Sequence, residues 1–271
     1  MRISIIGPAL PIPPKGWGAV ESLIWDMKLS LNKLGHEVKI INVDDPYQII
    51  SMINEFRPNF VHINYDDWVE IYPYIQYPCA VTTHFAYIER PELMGAYRQR
   101  VFDLFSQIKP NVFGLSDNIN QVYHNLASIP KNKLFLNPNG VNKNSFRVSS
   151  NPKYPDHSIY LAKVDHRKRQ FLFQQIDSLY YAGNIVEQRF DQSKNYLGEW
   201  EKDYLYLSRK FITVIPENKI LDLEYVENKI IDNRKYSANN RQEILDYAKE
   251  FEWCRILKKY YLPNIQKVIN G

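Results

Sequence analysis

The chain reads as an α/β protein built on parallel sheets in two lobes. Three observations predict this. Short apolar strands alternate with amphipathic helices through the first half. A run rich in proline and glycine, Gly7 to Glu21, sits between the first strand and the first helix. A stretch poor in apolar residues, 143–157, then interrupts the alternation before it resumes.

The first strand is Arg2-Ile3-Ser4-Ile5-Ile6, and the helix behind the loop carries Val20, Leu23, Ile24, Met27, Leu31 and Leu34 at helical spacing. Gly16 and Gly18 lie at its mouth, where backbone without side chains lets a ligand approach unpaired N–H groups. Gly35 suits the stop of that helix, and Glu37–Val43 is the next strand. A helix near Tyr47–Phe56 leads through Pro58 to the strand Phe60–Asn64, and a short helix precedes Cys79–His84. Pro91 suits the start of a helix running to about Ile108. Asn111–Leu115 follows as a strand, with Ser116 or Asp117 able to cap the next helix, and then Lys133–Leu136. Beyond the linker the pattern predicts a strand at Ser158–Lys163 and a helix from about Lys168 to Tyr181. Weaker strands follow at Lys194–Gly198 and Lys210–Val214, then helices at Leu221–Asn233 and Asn240–Tyr261, the last stopped by Pro263.

Composition excludes several classes. The 271 residues are 45% hydrophobic, enough for a real core. Residues 1–150 hold 14 basic and 13 acidic groups and the remainder 20 and 17, so neither half carries the basic excess of a nucleic-acid binder. The modest net charge of +4 is compatible with peripheral contact to an anionic membrane. Cys79 and Cys254 stand far apart and read as reduced thiols. No stretch approaches the ~20 apolar residues of a membrane span, and the opening strand is no leader. The expectation is a soluble, cytoplasmic protein.

Several segments together resemble the family-4-type glycosyltransferases of GT-B fold. Pro14-Lys15-Gly16-Trp17-Gly18-Ala19-Val20-Glu21 resembles that family's glycine-containing loop, and Thr82-Thr83-His84 its histidine at a strand end. Asn137-Pro138-Asn139-Gly140-Val141 resembles the turn before its interdomain linker. Leu161-Ala162-Lys163-Val164-Asp165-His166-Arg167-Lys168 is similar to its donor motif, with Ala-Lys in place of Gly-Arg, and Tyr196-Leu197-Gly198-Glu199-Trp200 matches in kind. The resemblance implies two Rossmann-like domains facing a cleft. Residues 1–147 would form the acceptor side. Residues 148–271 would form a shortened nucleotide-sugar side, with the last helices packing back toward the first domain.

One departure is large. Family members carry a strand, a glutamate-bearing loop and helix, and another strand after the Tyr-Leu-Gly-Glu-Trp segment. Only ten residues, Glu201 to Lys210, separate Trp200 from Phe211-Ile212-Thr213-Val214. A βαβ crossover needs about 30 residues. Glu199, Glu201 and Glu217 stand outside the family's spacing.

The chemistry implied is transfer of a hexose from a nucleotide diphosphate sugar to a hydroxyl acceptor, with retention at the anomeric carbon. The donor is a co-substrate, and no cofactor is expected. Asp44-Asp45 and Asp66-Asp67 form no D-x-D triplet, which leaves a metal site without support. Lys163 and Lys168, on a strand-to-helix turn, are the candidates to neutralise the diphosphate, with Gly16 and Gly18; Lys168 equally fits a solvated basic run, Arg167-Lys168-Arg169. His84 ends a strand, where parallel sheets face ligands, and is the candidate beside the reacting sugar. A half-buried histidine satisfied by backbone is the competing account. Trp17 stacks on an acceptor sugar or anchors its loop. Asn139 and Gly140 suit the cleft floor, and Leu197, Gly198 and Glu199 the nucleotide side. His36 and His62 read as structural. Two rivals remain: a non-catalytic relative that binds a glycan, nucleotide or protein, and a sugar-nucleotide epimerase on the same fold.

Overall fold

The computed structural model describes residues 1–14, 18–84, 95–142, 156–166, 168–199 and 221–271. It divides into two compact units, one formed by Met1–Asn142 with Glu250–Gly271 and the other by Lys143–Lys249.

The first unit is a parallel six-stranded sheet. Its strands are β1 (Arg2–Ile6), β2 (Glu37–Ile41), β3 (Phe60–Ile63), β4 (Cys79–Val81), β5 (Val112–Gly114) and β6 (Leu134–Leu136), in the order β2-β1-β3-β4-β5-β6. β1 pairs in parallel with both β2 and β3, matching Ile3 to Val38 and Phe60. Side chains alternate between the two faces. Ile3, Ile5, Phe60, Ala80 and Phe113 face one layer, whereas Ile6, Val61, Ile63, Val81 and Val112 face the other. The second layer holds α2 (Pro46–Phe56), α3 (Gly95–Ile108), α4 (Asp117–Ala127) and a 3₁₀ helix, Asp66–Tyr74. Asp45 caps α2 by accepting from the Tyr47 N–H, and Ser116 caps α4 by accepting from the Ile119 N–H. The N-terminal end expected for α3 at Pro91 lies outside the described residues, as do the linker residues 143–155.

The first layer pairs α1 (Ala19–Lys33) with the end of the chain. Here α7 (Trp253–Ile256), a π turn (Leu257–Tyr261) and α8 (Leu262–Asn270) run as one continuous rod. Pro263 was expected to stop this helix. It sits instead at the start of α8, because its missing N–H removes one bond to the preceding turn, which widens into the π form. The expected single helix Asn240–Tyr261 is also broken. Val141 pairs with Glu252, its N–H reaching the Phe251 carbonyl at 2.7 Å, so the backbone there joins the first unit rather than continuing a helix.

Trp253 seats this rod. Its indole lies where a Cβ on Gly140 would be, at 2.3 Å, so only glycine admits it. Trp253→Ala should therefore cost about 3–5 kcal/mol of stability, measured by urea unfolding. Gly140→Ala should cost about 1–3 kcal/mol by overpacking the same spot.

The second unit carries β7 (Ser158–Leu161) and β8 (Leu179–Ala182), paired in parallel, with α5 (Leu223–Asn239) and α6 (Arg241–Lys249). The helix expected over Lys168–Tyr181 is not formed. Arg169 turns left-handed at φ 57°, only Gln170–Phe173 coils as a 3₁₀ turn, and Leu179-Tyr180-Tyr181-Ala182 becomes β8. Phe171, Leu172, Phe173 and Ile176 have helical spacing, but they pack in a cluster around Val164, Tyr181 and Phe190 from this irregular path. The strand expected at Lys194–Gly198 reduces to a bridge between Tyr196 and Tyr181. The strand expected at Lys210–Val214, and the short interval Glu201–Lys210, lie outside the described residues.

Candidate functional site

In the first unit the candidate residues gather at the carboxyl ends of the strands, as expected for a parallel sheet. The loop after β1 is held from two sides. The Asn42 side chain accepts from the Ala9 N–H at 2.9 Å and donates to the Leu10 carbonyl, while the Trp68 indole N–H donates to the Gly7 carbonyl at 3.0 Å. Gly7 and Asn42 are in such close contact that a Cβ at position 7 would lie 2.6 Å from Asn42 Oδ1. Gly18 precedes α1, and a Cβ there would lie 2.8 Å from a carboxylate oxygen of Glu21. Glu21 is buried in the first turn of the helix. A carboxylate thus already faces the positive end of α1. Gly16 and Trp17 lie outside the described residues.

His84 follows β4. Its Nε2 lies 2.7 Å from Asn64 Oδ1, while Nδ1 is buried and has no hydrogen-bond partner among the described residues. Burial lowers its pKa to about 4, so the imidazole is neutral at physiological pH. Behind it, Asn64 Nδ2 lies 3.4 Å and the Tyr261 hydroxyl 3.2 Å from His62 Nδ1. His62 Nε2 lies 2.9 Å from Thr82 Oγ1, which donates to the Phe113 carbonyl at 3.0 Å. His62 is almost fully buried, and burial, with the neighbouring His84, lowers its pKa to about 3. The Thr83 hydroxyl donates to Asp66 Oδ2 at 2.5 Å. Sequence reading singled out His84 alone in this group. Asn64 and Tyr261 are found only through tertiary contacts.

Asn139 and Gly140 also lie in the first unit, just after β6. Gly140 is buried beneath Trp253, and Val141 bridges to Glu252, so this turn docks the C-terminal rod.

In the second unit, Lys163 and Lys168 sit on the loop that leaves β7 at its carboxyl end, and both are exposed. Gln170, fully buried, ties this loop together: its amide donates to the Lys163 carbonyl at 3.1 Å and accepts from the Asp165 N–H at 3.3 Å. The Lys168 N–H donates to Asp165 Oδ1 at 3.2 Å, and its carbonyl accepts from the Tyr160 hydroxyl at 3.1 Å. Gly198 meets the same end of the sheet. Its carbonyl accepts from the Gly183 N–H at 3.1 Å, and a Cβ on Gly183 would lie 2.1 Å from the Ala162 carbonyl oxygen. Leu197 donates its N–H to the Tyr181 carbonyl at 2.8 Å, and Glu199 is exposed beside it. Lys163, Gly183 and Gly198 thus share one strand-end edge.

Three of the other histidines have local partners. His36 Nδ1 lies 3.2 Å from the Met1 amino group. His124 Nδ1 meets the Ile129 carbonyl at 2.9 Å, and His157 stacks on Tyr180. Among the described residues no group of three His, Cys, Asp or Glu side chains is placed to hold a metal ion. No described helix is long and apolar enough to cross a membrane.

No protein-family model and no curated protein matches the chain in sequence. Solved structures do match it in fold. The Anabaena protein HepE in complex with UDP is 10% identical, with a TM-score of 0.63 over 95% of this chain and 97% of that one. AviGT4, a glycosyltransferase involved in avilamycin A biosynthesis, is 11% identical, with a TM-score of 0.65 over 100% and 98%. A glycosyltransferase from Rickettsia africae ESF-5 is 12% identical, with a TM-score of 0.57 over 100% and 99%. The chain therefore has the mixed α/β fold of GT-B glycosyltransferases, the class that its sequence motifs led one to expect.

Proposed function

We propose that this chain transfers a hexose from a nucleotide diphosphate sugar to a hydroxyl acceptor on a glycan, lipid or small molecule. Transfer retains the anomeric configuration and uses neither a metal ion nor a cofactor. The observation that carries this reading is the neutral His84 imidazole at the end of β4, in a fold shared end to end with glycosyltransferases. HepE, one of these fold neighbours, was solved with UDP and with UDP-glucose.

In this reading His84 lies beside the reacting sugar. A neutral ring accepts a hydrogen bond from a sugar hydroxyl without adding charge to the site. Lys163 and Lys168 neutralise the departing diphosphate. Gly16 and Gly18 line the donor site, Trp17 faces the acceptor, and Leu197, Gly198 and Glu199 border the nucleotide, whereas Gly140 is taken up by the Trp253 indole.

Charge-assisted hydrogen bonds contribute about 1.5–3 kcal/mol each. Lys163→Ala and Lys168→Ala should each weaken UDP binding about tenfold or more in titration calorimetry, and more steeply at low salt. Unchanged affinity in both variants would remove the lysines from the donor site. The second reading, a binding module without turnover, draws on the ten-residue interval Glu201–Lys210, too short for the family's ribose-gripping unit. Binding of donor without release of nucleotide would favour it.

A further inference from the structure

We infer that Asn64, oriented by His62 and Tyr261, is a positioning residue that holds His84 as the Nε2–H tautomer and leaves Nδ1 as its lone-pair nitrogen. The inference deepens the proposed transferase reading and rests on it for the role of His84.

The direction of every hydrogen bond follows from one backbone carbonyl. The Phe113 oxygen can only accept, so the Thr82 hydroxyl donates to it at 3.0 Å. That spends the hydroxyl proton, and Thr82 Oγ1 then presents a lone pair to His62 Nε2 at 2.9 Å, which must carry the hydrogen. His62 Nδ1 is consequently a lone pair. It receives the Tyr261 hydroxyl at 3.2 Å and the Asn64 amide NH₂ at 3.4 Å. Reversing the Asn64 amide would set its oxygen against that lone pair, so Oδ1 is turned to His84. At 2.7 Å from Oδ1, His84 Nε2 carries a hydrogen. The second ring nitrogen is left as the acceptor, buried and without a partner among the described residues.

Packing keeps the relay from turning. The His62 ring lies 5.5 Å from the Phe113 ring and 5.3 Å from the Tyr261 ring, and Tyr261 meets Phe60 and Phe113 edge-on. Tyr261 arrives from the C-terminal rod, 199 residues along the chain from His62. The C-terminal rod thus takes part in setting the tautomer of the histidine that follows β4.

The test is nitrogen NMR of the full chain labelled with ¹⁵N-histidine, joined to steady-state transfer kinetics. The expected spectrum shows His62 and His84 both as Nε2–H forms. Asn64→Leu should convert the His84 signals to a mixture of tautomers and lower kcat at least about tenfold, with KM for the donor little changed. Asn64→Asp still accepts from the His84 Nε2–H but sets its second oxygen against the His62 Nδ1 lone pair, so it should keep His84 as the Nε2–H form while changing the His62 signals. The same spectra report whether each variant is folded. A wild-type His84 protonated at Nδ1, or Asn64→Leu signals identical to wild type, would overturn the inference. A locked tautomer in a protein without transfer activity supports the relay and overturns only the transferase reading.

Discussion

His84→Ala is expected to lower kcat for sugar transfer by about 10²–10³-fold while leaving UDP affinity within a few fold. The argument is one of position and charge. His84 lies just beyond β4 at the carboxyl end of the sheet, is neutral because burial lowers its pKa to about 4, and directs one ring nitrogen to Asn64. In the proposed site His84 contacts the reacting sugar and the lysines hold the diphosphate, so turnover should fall while nucleotide binding should not. Kinetics with the donor, paired with calorimetry using UDP, separate the two. Parallel loss of both would indicate a folding defect, which far-ultraviolet dichroism would reveal. Full turnover in the variant would remove His84 from the chemistry.

The second large effect is on stability toward acid. His62 is buried and His84 half-buried, and both are neutral, with pKa values lowered to about 3 and about 4. In the unfolded chain each returns to about 6.5. Below that value the unfolded state binds more protons than the folded one, so stability is fully present above about pH 6.5. It is lost as pH falls toward the folded values. His84 alone corresponds to a loss on the order of 3 kcal/mol by pH 4. The two rings repel when charged, so their losses are not simply summed. Urea unfolding from pH 7.5 to 4.5 should show the midpoint falling steadily, most steeply below pH 6. Above about pH 5.5 this window lies clear of the ordinary carboxylate range, so the slope there reports the histidines. The double variant His62→Gln with His84→Gln should flatten the profile. A wild-type midpoint constant over that range would contradict the burial of both rings as neutral groups.

How far the chain could be read without coordinates depended on the range of the interaction. Alternating apolar strands and helices were legible in the first unit because each element carries its own period and its own cap, as Ser116 does for α4. The strand-end position of His84 followed from the same pattern. The second unit was read less well. Leu172, Phe173 and Ile176 have helical spacing, yet Asp165, Arg169 and Gln170 close a tight loop there, through contacts that no periodicity encodes. The partners of His84 were beyond reach for a related reason. Asn64 sits 20 residues away, just past the neighbouring strand β3, and Tyr261 reaches His62 across 199 residues. Gly140 looked like a turn glycine, but its lack of a side chain admits the Trp253 indole. Nothing local marks either member of that pair.

The most direct test of the central claim is release of nucleoside diphosphate when the purified full chain is incubated with UDP- and GDP-hexoses, in the presence of EDTA and a panel of glycan and lipid acceptors. The account predicts acceptor-dependent release from at least one donor, with the product keeping the donor's anomeric configuration, and its loss in His84→Ala. Binding of these donors with no release under any acceptor would contradict it.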